Sequence, residues 1–245
     1  MPPPLVISHR TNMGTMPENT LAGVDAALAD GVDGVEIDVR ATADGHVVLL
    51  HDAALERTAG DPREVSSLTL ADLTAVRVRP VHGHPRPEPV PTLSETLARI
   101  GGRCTLVIEV KQEGIEAAVA RDVRAAGAAG WCWIWAFDPA VGAACRRVLP
   151  EVPVALNSGP DSPERYGYAS AIEAAAAARF AAVSFARDLV DPATVAAAHG
   201  RGLRVYTWTV DDPEEIARVV EAGVDAVCGN FPPRIRAVLA QRAAG

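Results

Sequence analysis

Basic charge is scarce: 23 Lys and Arg stand against 31 Asp and Glu in 245 residues, a formal net charge of −8. That balance argues against a general nucleic-acid or anionic-membrane surface, since both reward a basic face, so any anionic ligand must be attracted locally. The four cysteines, Cys104, Cys132, Cys145 and Cys228, show no CxxC or CxxH spacing. They read as buried free thiols rather than a disulfide framework or zinc site. Before Leu5 stand only Met1 and three prolines, with neither a basic flank nor a long apolar stretch. Neither a signal peptide nor a transmembrane helix is expected, and the default reading is a cytoplasmic protein without stable membrane insertion. Aromatic residues make up 4% of the chain, yet apolar residues reach 49%, enough for a sizeable core.

What is present is alternation. Short apolar runs at Leu5 to Ser8, Gly34 to Val39, Thr105 to Val110, Trp131 to Ala136, Val152 to Leu156, Ala182 to Phe185, Arg204 to Thr209 and Ala226 to Cys228 predict eight strands. Ala-rich segments between them predict helices around Asn19 to Ala29, Ile115 to Ala126, Pro139 to Val148, Pro163 to Arg179, Pro192 to Ala198, Pro213 to Ala222 and Arg234 to Ala240. Asp138-Pro139, Ser162-Pro163, Asp191-Pro192 and Asp212-Pro213 each place a capping side chain before a proline suited to the first turn. Gly127, Gly200 and Gly223 read as helix stops. The expected fold is α/β: a single-domain (β/α)8 TIM barrel over residues 1–245, with an open doubly wound sheet as the competing arrangement. An insertion after the second strand, about residues 52–91, breaks the rhythm. Val47 to Leu50 reads as an extra strand after the Asp44-Gly45 turn, and the proline-rich stretch from Val78 to Pro91 as ordered loop.

Three acidic residues sit where a buried strand should be apolar. Glu36 and Asp38 lie within Val35 to Val39, and Glu109 within Val107 to Lys111. Strand side chains alternate faces, so Glu36 projects with Asp38, and Glu109 with Lys111. Buried carboxylates demand a cation. Adding Arg10 and Lys111 leaves a formal local charge of about −1, which a divalent ion would turn to about +1, suited to a phosphodiester. All-oxygen ligands suit Mg2+ or Ca2+ and disfavour zinc. His9-Arg10, His51-Asp52 and Trp208 also fall at strand ends, on the rim where an α/β barrel carries its active site. Two histidines titrating near neutrality suit proton transfer in P–O cleavage. Trp131, Trp133 and Trp135 are expected to pack under helices or fill the barrel. His46, His82, His84 and His199 read as solvated.

These residues resemble a known family, the glycerophosphodiester phosphodiesterases. The likeness rests on His9-Arg10, on Pro17-Glu18-Asn19-Thr20 eight residues after the histidine, and on Gly31 to Val39. Asp44-Gly45 leading to His51-Asp52, Leu55 with Arg57-Thr58, Pro91 to Glu95, Ile108 to Lys111, Trp208 to Val210 and Gly229 to Pro232 follow in register. The resemblance implies a metal-dependent α/β-barrel enzyme that cleaves glycerophosphodiesters to an alcohol and glycerol 3-phosphate. It implies Glu36, Asp38 and Glu109 as ligands of one divalent cation, His9 and His51 as acid and base, Arg10 and Lys111 as phosphate contacts, and Trp208 as a wall for the organic part. The attacking group is either water or the substrate's own glycerol hydroxyl. The partner is a small-molecule phosphodiester, and the chain is expected as monomer or homodimer.

The chain also departs from that pattern. Thr11 stands where glycine usually follows His-Arg, so a left-handed backbone there would be strained, and Gly14 is the alternative source of flexibility. Ala136 replaces a common serine, and residues 112–202 carry no substrate-reading motif. Other readings are a lysophospholipase D-like or other phosphodiesterase of the same barrel family, a catalytically silent phosphate-binding barrel, and an enolase-type carbon-acid enzyme with Lys111 as base.

Overall fold

The computed structural model describes residues 2–80, 84–159 and 167–244. Eight parallel strands close on themselves: β1 (Leu5–Ser8), β2 (Gly34–Ala41), β6 (Thr105–Val110), β7 (Cys132–Ala136), β8 (Val154–Ser158), β9 (Ala182–Ala186), β10 (Arg204–Trp208) and β11 (Ala226–Gly229). Closure comes from β1 pairing with β11 on one side and with β2 on the other. The expected α/β barrel is therefore the fold, and the open doubly wound sheet is excluded. Helices α1 (Leu21–Ala29), α4 (Leu93–Ile100), α5 (Glu116–Ala125), α6 (Pro139–Val148), α7 (Tyr168–Ala177), α8 (Pro192–His199), α9 (Pro213–Ala222) and α10 (Pro232–Ala244) form the outer layer.

Strand alternation builds two cores. Outward residues such as Val35, Ile37, Ile108, Ile134, Val183 and Phe185 pack beneath the helices. Inward residues Ile7, Val107, Trp135, Ala155, Ala182, Tyr206, Ala226 and Cys228 fill the barrel. The Trp133 and Trp135 rings lie 5.3 and 5.9 Å from that of Tyr206. These large rings are matched by alanines on β8, β9 and β11, which leaves the lumen packed rather than open. Trp131 instead packs on the outer core. All four cysteines are free and buried, as expected.

Asp138, Asp191 and Asp212 each accept a hydrogen bond from a first-turn backbone N–H ahead of a proline, as their sequence predicts. Ser162-Pro163 lies outside the described residues. Gly223 is a left-handed cap (φ 93°), and Gly127 (φ 61°) follows the cap residue Ala126. Gly200 differs from expectation: it stays right-handed (φ −61°), and Gly202 (φ 73°) makes the turn into β10.

The insertion is more structured than its prolines suggest. β3 (Val47–Leu49) returns antiparallel along the extended end of β2. Short helices α2 (Glu56–Ala59) and α3 (Leu70–Leu73) and a two-residue ribbon of β4 (Arg77–Val78) with β5 (Glu88–Pro89) follow. The stretch from Val78 to Pro91 is thus not simply loop. A separate small core of Val48, Leu50, Leu55, Val65, Leu68, Leu73, Val76, Val78 and Val90 holds it together. His84 is half-buried against Glu88 rather than solvated, whereas His46 and His199 are exposed; His82 lies outside the described residues.

The β1–α1 connection carries the strain foreseen at Thr11. Arg10 (φ 45°), Thr11 (φ 73°) and Asn19 (φ 56°) are all left-handed, whereas Gly14 is not. Such residues cost roughly 1–3 kcal/mol each and persist where their surroundings over-determine them. Here the Thr11 N–H donates to the Glu36 carbonyl (2.8 Å) and the Asn19 N–H to that of Arg10 (2.9 Å). The Thr11 side chain fits because α1 carries glycine at 23, where a Cβ would come within 2.1 Å of Thr11 Oγ1. Gly23→Ala should accordingly lower stability by about 1–3 kcal/mol despite its better helix propensity, and adding Thr11→Gly should recover most of that loss. Denaturant unfolding of the double-mutant cycle checks this, and simply additive losses would refute it.

Candidate active site

Parallel register between β2 and β6 sets Asp38 opposite Glu109 and Glu36 opposite Val107. One oxygen from each of Glu36, Asp38 and Glu109 lies within 4.8 Å of the others. All three residues are buried. Burial together with Asp38 and Glu109 pushes the Glu36 carboxyl well above its ordinary pKa, and burial also raises Glu109. Burial opposes the Asp38 carboxylate too, but Lys111 and Arg10 outweigh it and hold its pKa below the ordinary value. Glu36 Oε2 accepts the Arg10 N–H (2.7 Å), while its Oε1 is buried with no hydrogen-bond partner. An orphaned carboxylate oxygen facing two more carboxylates fits a hard divalent cation.

Around this cluster the opposing charges are held in place. Arg10 Nε lies 3.3 Å from Asp38 Oδ2, and Lys111 Nζ, 3.4 Å from Asp38 Oδ1, also pairs with Glu109. Asn19 Nδ2 donates to Asp38 Oδ2 (2.8 Å) and its Oδ1 accepts the Asp38 N–H (3.0 Å). Asn157, at the end of β8, donates to Glu109 Oε2 (3.0 Å). Arg40, two residues past Asp38, bonds through Nε to the His51 carbonyl (2.9 Å).

The two histidines arrive by different routes. His9 follows β1, where its N–H donates to the Gly229 carbonyl (3.0 Å) and its Nδ1 meets Asn230 Oδ1 (2.8 Å). Burial, helped by the nearby Arg10 charge, pushes its pKa down to about 4. His51 arrives on the returning β3, where the Leu50 N–H donates to the Asp38 carbonyl (3.0 Å). Its Nδ1 lies 2.6 Å from Asp52 Oδ1, and burial lowers its pKa as well. Arg57 then ties Asp52 (2.6 Å) to both oxygens of Glu18 (2.6 and 2.8 Å). The Asp52 carboxylate is itself partly desolvated, but its bonds from Arg57 and His51 bring its pKa down to about 2.

All of the residues singled out in the sequence line one cavity of about 500 Å3: His9, Arg10, Glu36, Asp38, His51, Glu109, Lys111 and Trp208. Trp135 also lines it, Phe137 stands edge-on to Trp208 at 5.5 Å, and Lys111 Nζ lies 5.1 Å from the Phe137 ring centre. The sequence alone assigns no role to Arg40, Phe137, Asn157 or Asp211, nor to Asn230, although Asn230 lies in the Gly229 to Pro232 block of the resemblance. Arg40 had a signal, since it continues the Glu36, Asp38 alternation. Phe137 and Asn157 lie in the stretch without a motif.

The two histidines, Arg10, Lys111 and the three carboxylates share one cavity at the end of the barrel where the βα loops meet, the face on which α/β barrels carry their active sites. The family model described as "Glycerophosphoryl diester phosphodiesterase family" matches residues 9–234. A glycerophosphodiester phosphodiesterase of Caldanaerobacter subterraneus is 29% identical over 93% of this chain and 94% of its own. A solved structure from Silicibacter pomeroyi DSS-3, described as a candidate glycerophosphoryl diester phosphodiesterase, is 32% identical with a TM-score of 0.91, covering 99% of this chain and 95% of that one. An Oleispira antarctica phosphodiesterase, solved with the product sn-glycerol-3-phosphate, is 25% identical with a TM-score of 0.82 and 97% coverage of both chains. The chain belongs to the glycerophosphoryl diester phosphodiesterase family and is a phosphoric diester hydrolase. Among the described residues no helix is long and apolar enough to cross a membrane.

The raised pKa of Glu36 has a thermodynamic sign. Folded protein binds more protons than unfolded protein above the ordinary carboxyl pKa of 4.5, so this group takes stability away as pH rises from there. In EDTA, Glu36→Gln should therefore raise the melting temperature at neutral pH and flatten its decline as pH rises from 4.5. Where millimolar divalent cation stabilises the parent, the same variant should lose that stabilisation. A lower melting temperature in EDTA would contradict the repulsion argument.

Proposed function

We propose that the chain hydrolyses glycerophosphodiesters to an alcohol and glycerol 3-phosphate, with one Mg2+ or Ca2+ held by Glu36, Asp38 and Glu109. The observation that carries this is the convergence of a buried carboxylate triad, two cations and two histidines on one cavity. The product bound by the Oleispira relative supports the same substrate class. When bound, the divalent ion would supply positive charge to polarise the phosphate.

The chain's own groups do the rest. Arg10 offers a planar fork to the phosphate oxygens, and Lys111 adds a point charge. Both also oppose the desolvation of Asp38 and hold its pKa below the ordinary carboxyl value. His9, held neutral by burial and by Arg10, takes the proton of the attacking oxygen. His51 hands a proton to the leaving alkoxide, and the Asp52 carboxylate against its Nδ1 supports the imidazolium it must form first. Trp208, with Phe137, gives the organic part an apolar wall.

Release of glycerol 3-phosphate from glycerophosphocholine and related diesters tests this reading. Activity should vanish in EDTA and return with Mg2+ or Ca2+. His51→Ala should lower kcat by about 10²–10⁴-fold while the protein still binds divalent cation. EDTA-insensitive turnover would remove the metal assignment, and absence of turnover over a broad diester panel would favour a silent phosphate-binding barrel.

A further inference from the structure

The loop after β10 and the end of β11 meet at a hydrogen-bond relay that ends on His9. Asp211 accepts twice from Asn230: from its backbone N–H at Oδ1 and from its side-chain amide Nδ2 at Oδ2, both at 2.6 Å. An ionised carboxylate has only acceptors, so the amide group turned toward it must be the NH2. The Asn230 carbonyl oxygen then faces His9 Nδ1, at 2.8 Å. That oxygen cannot donate, so Nδ1 must carry the proton, and Nε2 is left with its lone pair on a ring that lines the cavity.

The relay has little freedom to shift. A Cβ at Gly229 would come within 2.4 Å of the Val210 carbonyl oxygen and 3.2 Å of Asp211 Oδ1; one at Gly14 would come within 2.3 Å of the main-chain carbonyl oxygen of Asn230. Glycine at 229 allows the loop after β10 to close on the end of β11, glycine at 14 lets the β1–α1 connection approach Asn230, and the His9 N–H is tied to the Gly229 carbonyl.

We propose that Asp211 is a positioning residue which, acting through Asn230, fixes His9 as its Nδ1–H tautomer so that Nε2 can accept a proton from the attacking oxygen. This rests on the phosphodiesterase reading for its catalytic consequence, but the tautomer itself does not. The contrast with His51 follows from chemistry: its Nδ1 partner is a carboxylate, whereas an amide oxygen orients His9 without adding a negative charge.

The test is the His9 tautomer, read from ring 15N shifts of 15N-histidine-labelled full-length protein without substrate, assigned with His9→Gln. The parent should show protonated Nδ1. Asp211→Asn keeps the size of the side chain but cannot accept both Asn230 N–H groups, so the Asn230 amide should turn over. Its NH2 would then donate to Nδ1, and His9 should switch to Nε2–H. With that switch kcat should fall about 10²-fold or more, with KM within about threefold of the parent. An Nε2–H tautomer in the parent overturns the proposal with no need of the variant. So does a folded Asp211→Asn protein with an unchanged tautomer, or one whose tautomer switches while kcat holds. A parent that turns over no diester would sink the proposed activity, while the tautomer comparison would still decide the relay.

Discussion

Like-charge repulsion at the mouth of the barrel is the constraint on which the rest of the site depends. Three carboxylates on two neighbouring strands cannot all be ionised in a dry place without compensation. The fold answers in layers. Arg10 and Lys111 sit against Asp38, asparagines at 19 and 157 brace Asp38 and Glu109, and one Glu36 oxygen is left without a partner. Strain at Arg10, Thr11 and Asn19 belongs to the same arrangement, because it brings the Arg10 N–H onto Glu36 and the Asn19 amide onto Asp38.

The insertion serves that arrangement from the other side. By extending β2 and folding β3 back along it, the chain returns His51 beside Asp38 from which it had just departed. Nine apolar side chains form a core of their own beneath this hairpin, independent of the barrel's two cores. His51 therefore stands on a packed base, and Arg57 staples that base to Glu18 in the β1–α1 loop.

Much of this was legible in the chain itself. Period-2 alternation exposed the eight strands and the anomalous carboxylates, because burial on one face and charge on the other cannot be satisfied by another register. Proline after Asp marked helix starts for a local reason that tertiary packing does not override. What escaped notice depends on contacts between distant segments: Asn157 matters only because β8 and β6 flank β7 and their inward side chains meet inside the barrel, and Asp211 only because two loops converge. The ribbon of β4 and β5 was hidden by prolines, which at its edges cost no ladder hydrogen bond. Thr11 illustrates both sides, since its left-handed backbone was foreseeable but the vacancy at Gly23 that admits its side chain was not.

Trp135 lines the cavity and packs with Trp133 around Tyr206 inside the barrel, so among the described residues the cavity has an aromatic floor. For the diester substrate proposed above, that floor limits how far the part entering first can reach into the barrel.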